Sequence, residues 1–162
     1  MPNNWYRFSW FICLLLLTSC PGLQKEENVG RVVHVSDGDT FILQPRQGEK
    51  LKVRIAYIDC PELNQPYGLE AKAFTLEWAK GKEVRVEVVN TDRYGRAIGW
   101  VTADGETLNH LLIEKGYAWH FTRYSSDFQL ASLERNARNA ELGLWADYNP
   151  VPPWDYRNGT EK

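Results

Sequence analysis

Five short runs between Gly30 and Gly105 alternate apolar with polar residues, and this period-two writing confines most of the chain to half-buried strands. Two of them flank the stretch DGDT (37–40): RVVHV before it and FILQ after it. KLKVRIAYIDCP (50–61) follows the turn-rich PRQGEK, and Pro61 should end it, because proline cannot donate to a ladder. EVRVEVVN sets Val84, Val86 and Val88 on one face, and the stretch after the turn at DRYGR (92–96) reads as a strand closing at ADG. Three segments carry helical signals instead. GLEAKAFTLEWAKG (68–81) spaces Leu69, Ala73 and Leu76 along one face and stops at Gly81; TLNHLLIEKG stops at Gly116. SSDFQLASLERNARNAELG offers Ser126 and Gln129 as a capping box and a stripe of Leu130, Leu133, Ala137 and Ala140, with Gly143 as its end. Five strands, one helix after the third and two at the end predict an α+β fold: a small closed barrel under helical cover fits, and periodicity alone does not separate it from another α+β arrangement.

The chain's start is written differently. MPNNWYRFSWFICLLLLTSC has one positive residue, Arg7, and then an apolar run from Phe8 to Leu17. That run is shorter than the roughly 20 residues of a membrane span and has the length of a signal-peptide core. It ends in LTSC, which resembles the bacterial lipobox and implies cleavage before Cys20 and lipidation of its thiol. Residues 1–19 are therefore expected to be a lipoprotein signal peptide and 20–29 a lipid-anchored linker. Residues 30–147 form the domain, and 148–162 a Pro- and aromatic-rich tail, extended and packed at its aromatic points. The protein is expected to be exported and anchored to a bacterial membrane in the cell envelope. Cys13 would be lost and Cys20 lipidated, leaving Cys60 as the domain's one thiol, so no internal disulfide is available. A formal net charge of −2 gives no hint of a nucleic-acid or anionic-membrane partner; such binding would rest on a local basic cluster or a bound cation.

Three segments put polar groups where a plain strand would not: DGDT, VRIAYIDCPE (53–62) and DRYGR. Taken singly, each has an ordinary reading. DGDT is good turn chemistry, Arg54 suits an exposed ion pair, and YGR suits a turn. Together they assemble Asp39, Asp59, Glu62, Arg54 and Arg96. Carboxylates and backbone carbonyls suit a hard cation such as Ca²⁺, two guanidiniums suit a phosphate, and a further carboxylate suits the activation of water. That set suits hydrolysis of a phosphodiester, whose negative charge repels a nucleophile until cations offset it. Strict alternation from Arg54 puts Asp59 on the opposite face, so the two can share a site only if the strand bends, bulges or ends near residues 57–60. His34, His110 and His120 lack metal-ligand spacing and are expected to be structural or solvent-facing. Trp78, Trp100, Trp119 and Trp145 read as packing, and Cys60 as an inert thiol.

The three segments, in this order and with IDCPE and the terminal GLW (143–145), resemble the staphylococcal nuclease (thermonuclease) family over about residues 30–147. The resemblance implies a five-stranded OB-fold β-barrel with three helices. It implies a Ca²⁺-dependent monomeric nuclease acting on DNA and RNA that leaves 3′-phosphate ends. Position by position it implies Asp39, Asp59 and the backbone carbonyl of Cys60 as calcium ligands and Glu62 as general base or water-orienting group. Arg54 and Arg96 become phosphate clamps, and Tyr94 and Tyr124 nucleotide contacts. Asp39 thus becomes a ligand, while Asp37 either supports it or only forms the turn. Thr122 stands where the prototype has a second tyrosine, so stacking is weaker or comes from Trp119 or Phe121. LNQPYG (63–68) is shorter than the prototype's loop and lacks its lysine-bearing flap. The reading from a different class is a non-catalytic OB-fold lipoprotein that binds nucleic acid through aromatic and basic groups.

Overall fold

The computed structural model describes residues 28–159 together with Met1. Residues 2–27, with nearly all of the expected signal peptide and linker and with Cys20, lie outside the described residues. Five strands carry the barrel: β1 (Val29–Val35), β2 (Thr40–Pro45), β3 (Leu51–Ile55), β5 (Val84–Thr91) and β6 (Ala97–Ala103). They run in the order β3-β2-β1-β5-β6, and a parallel pairing of β3 with β6 closes the ring, registering Arg54 with Ile98. The short β7 (Glu106–Thr107) pairs antiparallel with the end of β6. Two further strands, β4 (Ile58–Asp59) and β8 (Trp119–His120), pair antiparallel outside the ring. The expected mixed fold with an OB-type barrel is thus present.

Alternation decides the interior. Phe41, Leu43, Val53, Ile55, Val84, Val86 and Val101 are all buried, and each faces inward because its neighbours along the strand face out. Helices α1 (Gly68–Ala79), α2 (Leu108–Glu114) and α3 (Phe128–Asn139) cover the barrel. Trp78, Trp119 and Trp145 are buried, in line with a packing role.

Local details depart from the sequence expectations in three places. Helix α1 forms as expected, but Leu69 and Leu76 are exposed and the buried face is Gly68, Ala71, Thr75, Trp78 and Ala79. Small residues stand at Ala71 and Thr75 because there the helix approaches the Gly38 backbone too closely for leucine. The cap of α3 is Asp127, whose side chain accepts from Leu130 N–H at 2.9 Å, rather than Ser126. The helix ends at Asn139, leaving Ala140 exposed, and Gly143 opens a separate 3-10 turn (Gly143–Ala146). The tail, expected to be extended, contains a further short helix, α4 (Pro153–Arg157), with proline at its first position, where a missing N–H costs nothing.

Candidate active site

DGDT closes the β1–β2 connection. The Ser36 and Asp37 amides donate to the Thr40 carbonyl at 2.8 and 3.3 Å, and the Asp39 amide donates to Asp37 Oδ1 at 3.1 Å. Asp37 therefore folds the turn and orients the backbone of Asp39. Gly38 is demanded by proximity: a Cβ there would lie 2.7 Å from Ala71 Cβ and 2.8 Å from Cys60 Sγ. Thr75 Oγ1 donates to the Gly38 carbonyl at 2.6 Å, pinning the turn to α1. Gly38→Ala is expected to destabilise the fold by about 1–3 kcal/mol through overpacking, read as a lower midpoint in urea; an unchanged midpoint would remove this account of the glycine.

The β3 end resolves the face problem posed by Arg54 and Asp59. Strand β3 stops at Ile55, Tyr57 takes a left-handed φ of 65°, and the chain restarts as β4 with Asp59 turned to Arg54's side. Asn109, fully buried, accepts from Val101 N–H at 3.0 Å and donates to the Ala56 carbonyl at 2.9 Å, tying the turn to the barrel. Arg54 fills the concave side of the turn. Its Nη1 donates to the carbonyls of Ile55 and Ile58, each at 3.0 Å. The same guanidinium pairs with Asp39 Oδ2 at 3.0 Å and Asp59 Oδ1 at 2.7 Å. Asp39 Oδ2 also accepts from the Cys60 amide at 2.8 Å, while Oδ1 accepts from Thr40 Oγ1 at 3.1 Å. Asp39, Arg54, Asp59 and Cys60 are therefore gathered in one buried cluster.

Glu62 lies at its edge. The Glu62 amide donates to Gln65 Oε1 at 3.1 Å, and its carboxylate meets Arg157 of α4, with Nη1 at 2.7 Å from Oε1. Arg157 Nη2 also reaches Asp59 Oδ2 at 2.7 Å. Sequence reasoning missed Arg157, Gln65 and Asn109. A lone arginine in a polar tail, a loop glutamine and a helical asparagine carry no local signal of what they will touch.

Arg96 stands apart from the cluster. Asp92 holds it, with Nε 2.6 Å from Oδ2, and no hydrogen bond among the described residues joins it to Asp39, Asp59 or Glu62. Tyr94 is exposed and lies 5.0 Å from the Arg93 guanidinium and 5.7 Å from that of Arg96. Tyr124 is also exposed, with Arg123 at 5.8 Å and the Phe121 ring at 4.9 Å. Trp119, one of two expected substitutes for the missing tyrosine, is unsuited to stacking on a ligand: it is buried against Trp145 at 4.4 Å and Trp154 at 5.7 Å. Phe121 stacks on Trp154 at 5.2 Å with planes 5° apart.

The electrostatics follow from burial and crowding. Burial pushes the Asp39 carboxyl up to about 6; Arg54 opposes the rise and the charge of Asp37 adds to it. Asp59 is raised too, by burial first and then by the neighbouring charge of Asp39, against the pull of both arginines. Burial works against the charge on Arg54, yet its pKa is raised, because Asp39 and Asp59 hold the proton in place. The Cys60 thiol is buried and pushed well up, which keeps it inert. Among the described residues no three His, Cys, Asp or Glu side chains form a metal cage. The donor set that fits a cation is smaller: two mutually repelling carboxylates that meet on one guanidinium, plus the carbonyl of Cys60, whose own amide donates to Asp39. Hard oxygens of this kind suit Ca²⁺, and added positive charge would relieve the repulsion that raises both carboxyls.

Comparison with known proteins agrees with the fold. Residues 52–147 match the family model described as staphylococcal nuclease homologue. An uncharacterized endonuclease of Haemophilus influenzae is 35% identical over 144 residues, covering 89% of this chain and 81% of that protein. One from Escherichia coli O157:H7 is 40% identical over 131 residues, covering 80% and 84%. A staphylococcal-like nuclease of Arabidopsis thaliana is 39% identical over 109 residues, 67% of this chain; the match spans only 34% of the plant protein. With the family model spanning more than half its length and these bacterial relatives matched over more than four fifths of their own, this chain belongs to the staphylococcal nuclease family.

Proposed function

We propose that this chain is a Ca²⁺-dependent nuclease that hydrolyses phosphodiester bonds of DNA and RNA to 3′-phosphate products. The observation that carries the reading is the buried cluster in which one guanidinium, that of Arg54, spans Asp39 and Asp59 at 3.0 and 2.7 Å. Asp39, Asp59 and the Cys60 carbonyl are assigned as the Ca²⁺ ligands. A bound Ca²⁺ supplies positive charge that offsets the phosphate's own and stabilises charge developing on its oxygens.

The protein's groups divide the remaining work. Arg54 holds the two carboxylates at fixed spacing and offers its guanidinium to a phosphate oxygen. Glu62 takes a proton from the attacking water or orients it; with a side chain 35% exposed, it is open to that water. Arg96, steadied by Asp92, forms the second phosphate contact. Tyr94 and Tyr124 present exposed rings beside guanidiniums, a surface on which bases stack. Cys20 is assigned as the lipidated residue that anchors the exported protein to a bacterial membrane through its N-terminus, and the protein acts as a monomer.

Plasmid degradation by the chain from residue 24 onward tests the activity. Cleavage is expected with Ca²⁺, to stop on addition of EDTA, and to return when Ca²⁺ is restored in excess. Cleavage that survives thorough chelation removes the metal from the mechanism. Retarded DNA migration without cleavage under any of these conditions would favour the binding-module reading, which the exposed tyrosines also suit.

A further inference from the structure

Arg157 is the last residue of α4, and its guanidinium lies across the mouth of the acidic cluster. It takes Asp59 Oδ2 and Glu62 Oε1, each at 2.7 Å, and approaches Asp59 Oδ1 at 3.4 Å. Arg54 holds Asp59 Oδ1 at 2.7 Å from the other side, so both oxygens of Asp59 face guanidinium hydrogens. The segment carrying Arg157 is docked by contacts of its own. Gln65 Nε2 donates to the Val151 carbonyl at 2.6 Å while Gln65 Oε1 accepts from the Glu62 amide at 3.1 Å. Tyr156 OH donates to the Asn64 carbonyl at 3.3 Å, and Trp154 stacks on Phe121.

We propose that the C-terminal segment 150–158 is a latch on the active site: the Arg157 guanidinium and a divalent cation compete for Asp59, and cation binding releases α4 from the 59–65 loop. The proposal rests on the reading of Asp39 and Asp59 as cation ligands. A carboxylate oxygen cannot turn the same lone pairs to a guanidinium and to a cation, and the two positive groups repel at such range. The Arg157 side chain is 43% exposed at the end of a five-residue helix, so it can leave for water once a cation takes over the charge of Asp59, which at 1% exposure stays where it is. The latch also holds Glu62. Arg157 Nη1 lies 2.7 Å from Glu62 Oε1, so release of Arg157 frees the ligand and the base together.

Calorimetric titration of Ca²⁺ into the full chain in detergent, compared with Arg157→Ala and Arg157→Lys, tests this. Arg157→Ala is expected to bind Ca²⁺ about tenfold more tightly, with Arg157→Lys between it and the parent, because lysine keeps the charge but loses the fork. In the parent, saturating Ca²⁺ should speed amide exchange across residues 150–158 by about tenfold or more, as expected for local release. An unchanged or weaker Kd in Arg157→Ala, or exchange in the tail that ignores Ca²⁺, overturns the latch while leaving the metal reading intact. If neither the parent nor the variants take up Ca²⁺, the metal reading falls and the latch falls with it.

Discussion

Arg54→Ala is expected to lose nuclease activity below detection and to destabilise the fold by about 3–5 kcal/mol, the usual result of stripping the partner from a buried ion pair. For a chain of this size that is a fall in Tm on the order of 10 °C. Asp39 and Asp59 would keep their burial and mutual repulsion without the group that spans them, and the Ile55 and Ile58 carbonyls would lose their donor. The deficit should depend on pH with a definite sign. Both carboxyls have folded-state pKa values above their unfolded ones, Asp39 reaching about 6. In chelator, the stability they contribute is fully present below about pH 4 and is lost as pH rises through about 6. Removing Arg54 takes away a group that lowers Asp39, so the loss deepens. Urea melts in EDTA should show the largest gap between variant and parent near pH 7 and a smaller one near pH 4.5. A variant within about 1 kcal/mol of its parent at pH 7 would mean that the cluster does not hold the barrel end together.

Glu62→Gln tests the chemical step in isolation. Loss of a positioned acid–base group costs typically 10²–10⁴-fold, and here it should fall on kcat with KM shifted little, because Glu62 acts on water and not on substrate binding. Glutamine keeps the size of the side chain and still accepts from Arg157, so the melting temperature should hold. Binding of an inert nucleotide should be unchanged as well. If that binding weakens as much as the rate falls, Glu62 is a binding group and the base must be sought elsewhere. The same variant speaks to the latch, since a neutral residue 62 weakens the hold of Arg157 and should speed tail exchange slightly even without added Ca²⁺.

The sequence by itself determined the five barrel strands, the approximate helices and the residue types of the candidate site. Each of those is a local property. Alternation of Val84 and Val86 with charged neighbours needs only the two-residue period of a strand, although Val88, read onto the same face, is exposed at an irregularity in the β5–β6 register; Asp39, Asp59, Arg54 and Glu62 announce their chemistry by type. It also stated the condition for a shared site, a break in the strand near residue 57, without showing how the break is made. Tertiary structure decided the rest. Tyr57 adopts φ 65° because Asn109, from the distant α2, pins the carbonyl next to it. Leucine spacing pointed α1 the wrong way, since the face it buries is the one on which Ala71 and Thr75 clear Gly38 and Trp78 and Ala79 join the core. Arg157 pairs with Glu62 across 95 residues. Nothing in its neighbourhood could have foretold that, because such a pairing depends on where the folded chain returns, and a sequence pattern reports only on neighbours a turn or two away.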